Sequence, residues 1–131
     1  MPPGCSRPAR GYPRAVTSTP CPCGRGPAYD DCCGPLLANR EQAASPERLM
    51  RSRYTAFVRG DADHLFRTWH PRTRPDDVTP DPRTRWTGLE VLAASGDTVE
   101  FVASWDGGSL HEVSRFERRA GRWVYVDGEV D

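Results

Sequence analysis

Two segments whose apolar residues recur near every 3.6 positions precede four segments that alternate with a period of two. Between Ser45 and Gly60, the residues Met50, Tyr54, Phe57 and Val58 stand at i, i+4, i+7 and i+8, one stripe of an α-helix. Ser45 can cap that helix, Pro46 suits its first position, Glu47 suits the positive end of its dipole, and Gly60 can end it. The remaining stripe, Arg48, Arg51, Ser52, Thr55 and Arg59, reads as a solvated face and lacks interleaved aromatics to stack bases. A second helix is predicted from an Asp61 cap, with Ala62, Leu65, Phe66 and Trp69 on one face. It should end at His70-Pro71, because the residue before a proline is pushed out of the α region.

Residues 71–84 carry prolines and turn formers and read as a loop, long enough to act as a lid or rim. Strands are predicted over 86–93, 98–105, 109–118 and 122–127, joined by short glycine-containing turns into an antiparallel meander. Helices first and a meander second predict an α+β fold with the helices on one face of the sheet. Val99, Phe101, Ala103 and Trp105 share one sheet face and Val102 the other, while Trp123 and Tyr125 oppose Val124 and Val126. A curved sheet apolar on both faces either encloses a cavity or pairs with a second copy, so a homodimer is one expectation.

Composition narrows the partners. The 131 residues give room for one compact domain and a small appendage. With 18 basic residues, all arginine, against 18 acidic ones, no net charge draws the chain to nucleic acid or an anionic membrane. No apolar run approaches the ~20 residues that span a bilayer, and no secretory signal is visible, so a cytoplasmic, reducing setting is expected. Residues 1–19 are rich in proline, include Arg7, Arg10 and Arg14 and have almost nothing to bury; they are expected to be a disordered tail.

Chemistry concentrates in Cys21-Pro22-Cys23-Gly24 and Cys32-Cys33, a C-x-C-x8-C-C cluster. Four thiolates about 2.3 Å from a Zn²⁺ ion make a closed structural site. Gly24 and Gly26 give the turn the freedom to aim both Cys21 and Cys23 at one point. Disulfides fit less well, since adjacent Cys32 and Cys33 could bridge only in a strained ring. Cys5 is isolated in the tail and has no place among four ligands. Thiol redox or metal handling through Cys32-Cys33 is a weaker alternative.

These cysteines, with Gly24-Arg25-Gly26 and Tyr29, resemble the SEC-C knuckle at the tail of the SecA translocase motor. That resemblance implies zinc on Cys21, Cys23, Cys32 and Cys33, with Arg25 replacing the usual serine. Beyond the knuckle the chain is similar to the YchJ family, in the runs from Leu49 to Tyr54, Gly60 to Asp63, Thr68 to Pro71, Trp86 with Gly88-Leu89, Ser114 to Phe116, and Trp123 with Tyr125 and Asp127-Gly128. No second, C-terminal knuckle of the kind many relatives carry is present in the 131 residues. The resemblance implies a knuckle over 20–40 and, over 41–131, a nuclear transport factor 2-like cone, a bent sheet wrapped around helices. Ketosteroid isomerase and scytalone dehydratase use such a cone as an enzyme pocket, whereas other members bind or dimerise, so fold leaves function open.

Within the cone, acid–base chemistry would draw on His70, with Asp63 to orient it and Arg115 nearby; Tyr54, Trp69 and His111 could line the same hollow. No nucleophile, paired-carboxylate or phosphate-loop motif accompanies them, so an enzyme is not assigned. Two readings follow: an adaptor that uses the knuckle for protein contact, or a small-molecule-binding protein or isomerase- or dehydratase-like enzyme that uses the cone.

Overall fold

In the computed structural model, which describes residues 19–131, the chain runs through a 3-10 turn at Tyr29–Asp31 and helices α1 (Gly34–Leu37), α2 (Pro46–Arg59) and α3 (Ala62–Arg67). Strands β1 (Trp86–Ser95), β2 (Thr98–Trp105), β3 (Gly108–Arg119) and β4 (Arg122–Val130) follow. The expected tail, with its arginines and Cys5, lies outside the described residues apart from Thr19. The caps of α2 are those the sequence predicts. Ser45 Oγ accepts from Arg48 N at 3.2 Å, and Gly60 takes φ +74°, a left-handed turn that costs glycine little.

Asp61 Oδ1 caps α3 by accepting from His64 N at 3.0 Å. This helix ends earlier than expected, at Arg67, with Thr68 Oγ1 donating to His64 O at 2.7 Å. Trp69 and His70 then leave the helical path and run along β4: Trp69 bridges Tyr125 in parallel, Tyr125 N donates to Thr68 O and His70 N to Tyr125 O, both at 2.8 Å. Extended backbone is what a residue before proline prefers, so Pro71 favours this edge pairing over another helical turn. The expected face of α3 is corrected too. Phe66 is exposed beneath the Arg74 guanidinium, 3.6 Å from its ring centre, whereas Leu65 and His64 are buried.

The four strands form one antiparallel meander in the order β1-β2-β3-β4. Register shifts at Trp86/Gly88 and Val91/Ala93 on β1, and at Arg115/Phe116 on β3, bend the sheet. Its inner face carries Val99, Phe101, Ala103 and Phe116, all buried against the helices. The outer face is more polar than its valines suggest. Val102 and Val113 are half-buried there among Glu100, His111 and Arg115, whose side chains form ion pairs.

Loop 71–84 is irregular, with Asx turns in which Asp77 and Asp81 accept from Thr79 N and Arg83 N. Val78 anchors it to the core. A single buried cluster joins Cys21, Cys23, Cys32 and Cys33 to Leu49, Met50 and Tyr54 of α2 and on to Val99, Phe101 and Phe116 of the sheet.

Candidate functional site

The cysteines converge through two tight turns. Gly24, at φ +77°, lets Gly24 N donate to Cys21 O at 3.1 Å, so that Cys21 and Cys23 return toward the same point. The 3-10 turn and α1 bring up Cys32 and Cys33 from the other side. All four sulfurs lie within 4.8 Å of one another, all four residues are buried, and none forms a disulfide. The 3.6 Å between Cys23 Sγ and Cys32 Sγ matches the edge of a tetrahedron with bonds of 2.3 Å, about 3.8 Å. The donor set therefore fits a soft, tetrahedral metal ion.

The surroundings of the sulfurs favour a thiolate at Cys23 and, first through burial, a thiol at Cys32. The Cys33 S–H directed at Cys23, helped by the Arg25 backbone and the other two cysteines, holds the Cys23 thiol down at about 4 against the opposing effect of burial. Cys33 is pushed up, first by giving that hydrogen bond and then by burial. Arg25 Nε donates to Cys32 Sγ at 3.3 Å. From α2, Arg48 Nη2 donates to Cys32 O at 3.1 Å and Arg51 Nη1 to Cys23 O at 2.9 Å, while Arg59 lies 4.3 Å from the Tyr29 ring centre. Thr55 Oγ1 sits 3.8 Å from Cys21 Sγ. The stripe expected to be solvated thus holds the cysteine segment, and Ser52 and Thr55 are fully buried.

Between α2 and the inner sheet face lies a cavity of about 300 Å³, walled mainly by aromatic and aliphatic side chains. Tyr54 meets the Trp86 ring edge-on at 5.8 Å, and Trp69 meets Tyr125 at 5.3 Å. Besides the tyrosines, three polar side chains enter this lining: Arg53, Glu112 and Ser114. Arg53 is 6 % exposed, and its guanidinium sits 4.6 Å from the Trp69 centroid and 4.7 Å from that of Tyr125. Its Nη1 donates to Leu65 O at 3.2 Å and to Thr68 Oγ1 at 2.7 Å. Burial pushes its pKa down to about 10, which leaves it charged at neutral pH. Glu112 Oε2 accepts from Ser114 Oγ at 2.6 Å and from Tyr125 OH at 3.0 Å, and burial, then Glu112, pushes the Tyr125 phenol up.

Of the residues singled out in the sequence, Tyr54 and Trp69 line this cavity. Asp63, His70, Arg115 and His111 are elsewhere, each with its own partners. Asp63 pairs with Arg67 at 2.8 Å on the surface. His70 Nδ1 accepts from Arg72 N at 3.0 Å, and its Nε2 faces Glu117 at 3.7 Å. Arg115 pairs with Asp127 at 2.7 Å, and His111 with Glu100 and Asp131 on the outer face. Those side chains are not brought together as an acid–base set. Sequence reasoning missed Arg53, Glu112 and His64. A signal existed for two: Arg53 lies three residues after Met50 on the apolar stripe, and Glu112 alternates with Leu110 and Ser114 on the inner face.

Comparison with known proteins gives the same architecture. The family model described as YchJ, middle NTF2-like domain, matches residues 45–128. A UPF0225 protein of Streptomyces coelicolor is 58 % identical over 121 residues, covering 87 % of this chain and 98 % of the relative. A UPF0225 protein of Deinococcus radiodurans is 46 % identical, with 82 % and 87 % covered. The solution structure of a SEC-C motif containing protein from Rhodopseudomonas palustris superposes with a TM-score of 0.74 at 43 % identity, over 83 % of this chain and 96 % of that one. Matched domain, high identity and a SEC-C motif neighbour place this chain in the UPF0225, or YchJ, family, as a nuclear transport factor 2-like α+β domain preceded by a SEC-C-type cysteine cluster.

Proposed function

We propose that this chain is a zinc-binding protein whose cone cavity holds a small molecule, with the metal acting as a structural staple. The observation that carries this reading is the aromatic cavity of about 300 Å³ next to α2, the helix that the cysteine cluster grips from its other side. Four thiolates leave zinc no open position, so any ligand chemistry falls to the cone. When bound, the ion would fix the turns at Cys21–Cys23 and Cys32–Cys33 and neutralise part of the thiolate charge. A reducing compartment such as the cytoplasm would keep the four thiols available for it.

Native mass spectrometry on protein purified without chelator should give one zinc per chain, and a folded, metal-free protein would refute the staple. Displacement of a cavity-bound fluorescent probe by cell-extracted metabolites should then identify the occupant, and a probe that never enters would refute the cavity.

A contact role for the knuckle is supported by a different observation. Its inner side is occupied by α2, while Gly24, Arg25 and Gly26 are exposed on its outer side. A protein partner would dock there, and a photo-crosslinking residue in place of Arg25 should trap one dominant adduct in cells. Equal labelling from a residue placed at Arg83 in loop 71–84 would reject that role.

A further inference from the structure

We propose that the cavity selects a small aromatic carboxylate, with the anionic end against Arg53 and the ring system among Tyr54, Phe57, Trp86 and Phe101. This deepens the binding role given above and rests on it. Arg53 is almost fully buried, yet among the described residues no carboxylate comes within ion-pairing distance of its guanidinium. Both of its protein hydrogen bonds leave from Nη1, so Nε and Nη2 keep donors for a guest. A buried guanidinium without a counter-ion is costly, and an entering carboxylate relieves that cost with charge-assisted bonds.

Glu112 is the charge of opposite sign in the lining, and it is held to the wall. Two hydroxyls, Ser114 Oγ and Tyr125 OH, donate to its Oε2. Gly128, opposite Ser114 on β4, leaves the room the Glu112 side chain occupies, since a Cβ there would fall on the carboxylate. The space of about 300 Å³ suits a body of one or two rings. An amine would meet Arg53 with like charge, and a neutral analogue would leave the guanidinium without a directly paired anion, Glu112 acting on it only from a distance.

The test is titration of the zinc-loaded full chain, followed by tryptophan fluorescence and calorimetry, with naphthoate, naphthylmethanol and naphthylmethylammonium. These share one ring system and differ in end charge. Naphthoate should bind roughly tenfold or more tightly than the alcohol, with the ammonium weakest. Glu112→Gln, which keeps an acceptor for Ser114 and Tyr125, should tighten naphthoate several-fold, and Arg53→Lys should weaken it. An alcohol or ammonium that binds as well as naphthoate would overturn the carboxylate assignment and leave the cavity as a binding site. An unchanged or weakened naphthoate affinity in Glu112→Gln would overturn it as well. Failure of all three probes at millimolar concentration would overturn the cavity reading itself, and this proposal with it.

Discussion

His64 shows what burial does to one side chain. Its Nε2 meets Ser52 Oγ at 2.9 Å, its Nδ1 is buried without a partner, and it is 2 % exposed. Burial first, then the Arg67 and Arg53 charges, lowers its pKa from 6.5 to about 4. Because the folded value lies below the unfolded one, the unfolded chain takes up the proton first. Stability is therefore full above the unfolded value and is lost as pH falls toward the folded one, by about 2 kcal/mol between pH 7 and pH 5. Urea unfolding of His64→Gln should show a smaller loss over that interval than the parent; equal losses would reject this role. Arg25, donating to Cys32 Sγ, predicts that Arg25→Ser releases zinc to a chelator several-fold faster without unfolding the chain, as a chromophoric chelator would report. The four converging cysteines were legible in the sequence because their close spacing already groups them. His64 was not, and Arg53 was passed over despite its place beside Met50 on the apolar stripe, because a basic residue is assigned to solvent unless the surrounding contacts that bury it are known.

Helix α2 is the element through which the two sites touch. One side, Met50, Arg53, Tyr54 and Phe57, lines the cavity; the other, Arg48, Arg51, Thr55 and Arg59, grips the cysteine segment. Its ends could be read from sequence, since capping involves residues within one turn of each other. Its polar side could not, because the carbonyl that Arg51 reaches belongs to Cys23, 28 residues earlier. The end of α3 was misplaced for a related reason, as pairing with β4 captures Trp69 and His70 from across the molecule. Because α2 is clamped by the cluster, Cys32→Ser should raise amide hydrogen exchange over residues 20–40 and also along α2, while β2 and β3 stay protected. Exchange confined to residues 20–40 would mean that the clamp contributes nothing to the helix.

For the molecule as a whole, the buried cluster runs from the cysteines through α2 to the sheet, so metal binding and folding should be linked. The melting temperature should rise with free zinc concentration, since a ligand held only by the folded state stabilises it by mass action, and a zinc-independent melt would break that link. Ala103 is 3 % exposed and lines the cavity. Ala103→Leu should occupy part of that volume and weaken ligand binding while far-UV circular dichroism stays unchanged. The meander and its single sheet were legible because period and turn chemistry are local, and the cone was implied by the family resemblance; a cavity was one of two readings of the sheet, and the choice between them depends on how far the sheet bends. The sheet also has two rims, and each is modified in its own way. Residues 68–70 cover the β4 rim at Tyr125 with two backbone hydrogen bonds, and the β1 rim is interrupted by two irregularities, at Trp86/Gly88 and Val91/Ala93. Among the described residues a foreign strand therefore meets one rim covered at Tyr125 and another broken by irregularities, features that discourage edge-to-edge pairing.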